Sequence, residues 1–383
     1  MKNIRFTRPG GLSRRAFLGS VSAGLAAPAL LGRADPVLAQ TAFAGEELAV
    51  TTWSGAYEDA FRRAVVEPFN ERYGTSAVTL GGWDQMAAQI MAAPADNPPF
   101  DITIADEYTT LVGMTEGLWA ATPRENLPNL SGVQPWYIET RPEAMRDFGI
   151  PFGLGFLLPL INTDLAGEDL PLSWKSLWDP AMERKLALDG ASFVWLLAVT
   201  ALVRGAKPGL EELYSWQPGM ADDPLFAKLE ELRPAKWYRD GAELSFVMMQ
   251  EQAAMAEIYS IDAFGMVRDG GEAFRTGIPE DGTVAYTDWY IKVRGTRHDE
   301  LSDVFLNYML EKETQDRILA TTTSVSSRAD VTVPDHWQGY PVTNDDLKKR
   351  VNLIDVAGWE KILANWDALD ARFKEAVLKT SAN

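Results

Sequence analysis

Apolar and polar positions follow two alternating rhythms along this 383-residue chain. "EELAVTTW", Glu46 to Trp53, has the short apolar pattern of a strand. Beyond Gly55, Tyr57, Phe61, Val65 and Phe69 recur every four residues and so share one face of a helix. Pro68 lacks an N–H and is expected to kink or divide that helix, and Gly74 follows its end. "SAVTL" predicts a second strand, Trp83–Met91 a second helix, "PFDITIAD" a buried strand and Glu107–Thr115 a third helix. Repeated strand–helix units of this kind predict a parallel sheet covered on both faces.

"GIPFGLGFLLPLIN", Gly149 to Asn162, breaks the rhythm. It is apolar with Gly and Pro every few residues, which fits an extended crossing segment. A second α/β unit follows. Ser173 caps a short helix in "SWKSLW", "KLALD" is a strand, Ser192–Arg204 a strongly apolar helix and Ala253–Tyr259 another strand. "TVAYTDWYIKV" alternates as a strand. "DELSDVFLNYML" and "KETQDRILA" are helices, and Gly358–Leu378 predicts one long amphipathic helix. Two α/β units joined by more than one extended segment make hinged lobes with a cleft between them. Ligands of such sheets sit beyond the carboxyl ends of the strands.

The residues at those ends repeat one composition. Trp53, Ser54 and Tyr57 follow the first strand, and Asp106, Glu107 and Tyr108 follow "DITIA". Asp189, Gly190 and Ser192 follow "KLAL", and Tyr259, Ser260 and Asp262 follow "MAEI". The last strand brings Tyr286 and Asp288 on one side and Trp289 on the other. Lys and Arg are missing from these positions. A carboxylate on an apolar strand needs a partner. Ring faces attract an ammonium group by up to about 2 kcal/mol when desolvated, and carboxylates add charge-assisted hydrogen bonds. The combination predicts an aromatic–acidic cage for an organic cation. Plainer roles compete: Asp106 as a helix cap, Ser192 likewise, Asp189–Gly190 as a turn, Trp174 and Trp178 as core.

Composition narrows the setting. "LSRRAFLGSVSAGLAAPALLG" followed by "VLAQ" resembles a twin-arginine export signal, with residues 1–39 removed. Cleavage takes six basic residues and one acidic one, which moves the formal charge from −18 to −23. Such a chain repels nucleic acid and anionic lipid and draws cations. Cysteine is absent, so there is no disulfide framework, thiolate metal site or cysteine nucleophile. No later apolar run is long enough to span a bilayer. The expected product is a soluble periplasmic protein.

Four stretches, "TTWSGAYEDAF", "FDITIADEYTTLV", "SWKSLWDP" and "GIPEDGTVAYTDWYIKV", carry a resemblance. From Trp53 onward the chain resembles the periplasmic solute-binding proteins of ABC importers, in particular their spermidine/putrescine-binding branch. The resemblance implies a type II two-lobed α/β fold with mostly parallel sheets and the ligand between lobes. Lobe one takes residues 46–152 with a return segment 287–322; lobe two takes 153–286 and 323–383. Aromatic residues at Trp53, Tyr108, Tyr259 and Tyr286 would stack on a polyamine, and Asp288 would grip an amine. The implied partners are membrane permease subunits, the implied state a monomer, and no cofactor or metal is implied.

Polyamine binders carry further acidic residues after the "KLALDGASF" strand, where this chain has Gly190 and Phe193. Either Asp189 substitutes, or the ligand is a shorter cation or an amine-bearing zwitterion such as an amino-acid derivative. Arg204 and Arg239 could meet a carboxylate, but nothing local places them in the cleft. A secreted hydrolase using Asp106 and Asp288 as paired carboxylates is the remaining alternative. The only two histidines, His298 and His336, sit in polar loop-like settings, which argues against a histidine triad or zinc site.

Overall fold

Two long strands, buried along their whole length, organise the molecule: β4 (Ile150–Asn162) and β9 (Thr283–Lys292). The structure is a computed structural model that describes residues 42–82, 85–139, 141, 143–205, 210–279, 281–322, 324–335 and 349–381. The expected export signal over 1–39, Trp83 at the head of the second expected helix, and His336 lie outside the described residues.

β1 (Glu47–Trp53) pairs in parallel with β2 (Ser76–Gly82) and β3 (Ile102–Ala105), and β9 runs antiparallel to β3. Ile150–Phe156, the first half of β4, pairs with β9. Its second half, Leu157–Ile161, pairs with β7 (Met255–Tyr259). β5 (Leu186–Asp189) lies parallel to both β7 and β6 (Lys236–Tyr238). The resulting order is β2-β1-β3-β9-β4-β7-β5-β6, with β8 (Phe274–Thr276) and β10 (Val325–Ser326) on β4 and β11 (Val351–Leu353) on the start of β9. The residues of β4 divide between two cores by face: Ile150, Phe152, Leu154, Phe156, Leu158 and Leu160 pack in the first, Leu157 and Ile161 in the second. Val50, Phe61, Phe69, Ile104 and Phe152 belong to the first; Leu157, Trp174, Leu188, Leu197 and Phe373 belong to the second. β4 reads as an unbroken apolar run because both of its faces are covered, the usual cause of such runs.

Three local expectations need correcting. Pro68 does not divide its helix. Ala56–Phe61, Arg62–Val66 and Glu67–Tyr73 form one continuous helix whose middle turn widens to π geometry just ahead of the proline. A proline ring clashes with the carbonyl four residues back and offers it no N–H. Here that carbonyl, on Ala64, instead accepts a hydrogen bond from Arg317 Nε at 2.8 Å. Gly74 closes the helix at φ 68°, a left-handed cap that glycine adopts freely. The C-terminal segment is two helices, Val356–Ala364 and Trp366–Ser381, separated at Asn365. Ser192 precedes its helix, Phe193–Arg204, without a side-chain capping bond. Asp189 instead forms the expected turn ahead of it, with Oδ1 accepting from the amides of Ala191 and Ser192 at 2.7 and 3.1 Å. Among the described residues no helix is long and apolar enough to cross a membrane.

Candidate functional site

The carboxyl ends of β1, β3, β5 and β7 face a cleft of about 850 Å³ of open space, its mouth included. Among the described residues its wall has fourteen members: eight aromatic, two carboxylates and none basic. Trp53 ends β1, and Asp106 and Tyr108 follow β3. Ser192 opens the helix after β5, Tyr259 ends β7, and Tyr286 rises from the middle of β9. All but Tyr286 arrive where a strand has just ended and a helix or turn begins, the position at which backbone amides and side chains both become free for ligands.

The rings brace one another. Tyr259 meets Tyr286 edge to face at 5.7 Å between centroids, Trp195 lies 5.8 Å from Tyr286, and Trp359 is 5.9 Å from Trp195. Across the mouth, Tyr108 stacks on Trp366 at 4.3 Å and 15°. Gly155 on β4 makes room for Tyr286, since a Cβ there would sit 2.2 Å from the phenol oxygen.

Asp288 stands one layer behind this wall. It is 0% exposed; Oδ1 accepts from Trp53 Nε1 at 2.8 Å, and Oδ2 is buried without a partner. Burial above all pushes its carboxyl up to about 7; the Trp53 bond opposes this, and the nearby Glu107 and Asp106 carboxylates reinforce it. Asp106 lines the cleft while capping its helix, accepting from Thr109 N at 2.8 Å, and burial raises its carboxyl as well. Asp106 and Asp288 therefore cannot flank a substrate bond as a hydrolytic pair, because one of them does not reach the cleft.

Five further candidates lie off the wall. Ser54 is exposed beyond β1. Tyr57 is buried, its phenol raised by burial and by the Asp288 carboxylate. Glu107 turns to the other side of β9, where Oε1 accepts from Thr287 N at 2.9 Å and from the Thr287 hydroxyl. Asp189 is occupied within the fold: Tyr259 donates its hydroxyl to Oδ2 at 3.2 Å, while Oδ1 holds the turn amides. Asp262 sits against Gly241, and burial lifts its carboxyl to about 6. Arg204 and Arg239 pair with Glu212 and Glu243. Trp174 is fully buried core and Trp178 partly buried beside it.

Sequence reasoning missed Trp195, Trp359, Trp366 and Asp370. The first looks like any residue of an apolar helix. The others come from the C-terminal helices, far in sequence from every strand that the sequence predicts, and no local pattern signals that these helices fold over the cleft. Asp370, the second carboxylate of the wall, pairs with the exposed Lys374 four residues on, at 2.6 Å. Among the described residues there is no cluster of three side chains able to hold a metal ion.

With this geometry in hand, the chain can be set beside known proteins. The family described as bacterial extracellular solute-binding protein matches residues 64–345. The spermidine/putrescine-binding periplasmic protein 1 of Haemophilus influenzae is 21% identical over 345 residues, covering 88% of this chain and 87% of that one. An ABC transporter substrate-binding protein from Bradyrhizobium japonicum superposes with a TM-score of 0.69 at 16% identity, over 87% of this chain and 99% of the other. The GABA receptor Atu4243 gives 0.68 at 16% identity, over 86% and 97%. These structures share the two-lobed α/β binding-protein fold.

Proposed function

Since the chain belongs to the bacterial extracellular solute-binding proteins, the capture components of ABC importers, we propose that its ligand is a small organic cation carrying one or more amines. One observation carries this: a cleft walled by eight aromatic rings and two carboxylates, with no basic residue in its wall among those described. Ammonium groups on an alkyl chain suit such a wall, with rings taking the methylenes and the diffuse charge. Asp106 and Asp370 come from two different segments and supply separate points for separate amines. Asp288 acts through its field from behind Trp53, since Coulomb attraction needs no contact and is weakly screened inside a protein.

A polyamine fits this reading best, and the similarity to a spermidine/putrescine binder supports it. An amine-bearing zwitterion is the second reading. It is favoured by the engagement of Asp189 within the fold, which leaves the loop after β5 without an acidic grip, and by the likeness to a GABA receptor. In this proposal residues 46–152 and 287–322 form one lobe and 153–286 with 323–383 the other. The partner switch between Phe156 and Leu157 supports a crossing there. The protein is exported folded, loses residues 1–39, and as a monomer presents its closed form to permease subunits.

A melting screen of the mature protein against putrescine, spermidine, amino acids, betaines and sugars tests this. A ligand at about 100 times its dissociation constant adds about 2.7 kcal/mol of stability. The largest shift is expected from a di- or polyamine. A shift with sugars and none with any amine would remove the proposal.

A further inference from the structure

A second cavity, about 500 Å³ with its mouth, lies on the other side of β9 from the aromatic cleft. Its wall includes Glu107, Arg141, Thr287 and, from the segment after β11, Ile354 and Asp355; Trp359 borders both cavities. The cleft takes the Tyr286 side of β9 and this cavity the Thr287 side, as strand alternation requires.

Arg141 is the anomaly. Its side chain is 5% exposed, and both terminal nitrogens, Nη1 and Nη2, are buried without a hydrogen-bond partner. The guanidinium carbon lies 3.5 Å from the centroid of the Trp289 ring, a cation–π contact that uses none of its N–H donors. Its own backbone is pinned, the amide donating to Ile138 O and the carbonyl accepting from Arg146 Nε. Opposite, Glu107 spends Oε1 on Thr287 and leaves Oε2 buried and unpartnered. A desolvated guanidinium with idle donors is strongly unfavourable. Its fork of two parallel N–H groups matches a carboxylate oxygen for oxygen.

We propose that this cavity is a second binding site, which takes a carboxylate group in bidentate contact with Arg141, with the Glu107 carboxyl as its proton-bearing neighbour. Either a free small carboxylate or the tail of an amino acid supplies that chemistry. Bound there, it links the helix that starts at Glu107 to the segment after β11 and so bears on the crossing strand between them. The charged groups around Glu107 are Asp106, Arg141, Asp288 and the rim residue Asp355. With burial holding the Glu107 carboxyl at about 7, an incoming carboxylate binds more tightly as the pH falls through that value.

The test is calorimetry and thermal melting of the mature chain with acetate, with chloride, and with γ-aminobutyrate, at pH 6 and pH 8. Acetate should bind saturably and by roughly tenfold more tightly at pH 6, the ratio for one linked proton. Arg141→Met should abolish acetate binding while leaving the putrescine response in place, which separates this site from the amine reading. Glu107→Gln should bind acetate with the pH dependence removed, and Arg141→Lys should retain a weaker site if the methionine variant does not fold. Acetate that binds beside putrescine without competing marks a free anion as the occupant. An Arg141-dependent gain for γ-aminobutyrate over its amine alone marks the ligand's tail. No saturable response to acetate or γ-aminobutyrate at either pH, or equal responses in Arg141→Met and Arg141→Lys, leaves only water in the cavity and overturns the proposal.

Discussion

On the proposed amine reading, Asp288 couples the cleft to pH. Moving a carboxyl from 3.8 to about 7 corresponds to about 4 kcal/mol against the charged form. That is several times what an exposed ion pair such as Lys374–Asp370 contributes. An amine arriving in the cleft reverses the preference and expels the proton. Amine affinity should therefore rise about tenfold between pH 6 and pH 8 and flatten above, and in Asp288→Asn the rise should shrink. Without ligand the sign is opposite. The folded value lies above the unfolded one, so this contribution to stability is complete below about pH 4 and is lost as the pH rises through about 7. The unliganded melting temperature should fall from pH 5 to pH 8, less steeply in Asp288→Asn. Titration calorimetry and melts at three pH values check both; matching pH profiles for wild type and variant would show that Asp288 does not govern the cleft. The pairing of Tyr286 with Asp288 was legible from strand alternation. That Trp53 would claim Asp288 Oδ1 and screen it from the cleft was not, because the two are 235 residues apart.

Among the elements, β4 is buried along its whole length. Its glycines are not hinges by default: at Gly155 the space a side chain would take is filled by the Tyr286 ring. Gly155→Ala should force that ring into the cleft and cost about 1–3 kcal/mol of stability, the usual penalty of overpacking. Amine binding should weaken at least tenfold even where melting shows a folded protein; unchanged binding would mean that the Tyr286 ring does not set the cavity's shape. The proline helix teaches a related lesson. The four-residue spacing from Tyr57 to Phe69 made the helix readable, and Pro68 made a break the natural expectation. The break is avoided because a guanidinium from a helix some 250 residues away satisfies the freed Ala64 carbonyl. At the other end, the apolar periodicity of the C-terminal segment was plain, whereas the interruption at Asn365 was not. It turns Trp366 onto Tyr108.

For the molecule as a whole, the proposed capture step is closure of two lobes about the cleft. The Tyr108–Trp366 stack joins the helix after β3 to the last helix of the chain, so it is positioned to report any relative motion of the two. Saturating amine should lower the radius of gyration in solution scattering and quench or shift tryptophan emission. Trp366→Ala should weaken binding by roughly three- to tenfold, the equivalent of one lost aromatic pair of about 1 kcal/mol. Scattering curves that superpose with and without ligand would exclude closure as the capture step. The strong net negative charge adds long-range attraction for cations, so association should slow as salt increases.

By itself the sequence determined the strand–helix alternation of the first part of the chain, the extended segments now seen as β4 and β9, the resemblance to solute binders, and the aromatic–acidic character of the strand ends. Each of these is encoded in short-range periodicity or in a residue's place just after a strand. Only the tertiary structure decided which of those residues share a wall. Asp189 and Glu107 are turned inward by their own hydrogen bonds. Asp288 is sealed behind an indole. Trp359, Trp366 and Asp370 are brought in from the chain's end, and Arg141 is left with idle donors behind β9. Burial and pairing across hundreds of residues depend on how whole surfaces pack, and no window along the chain contains that information.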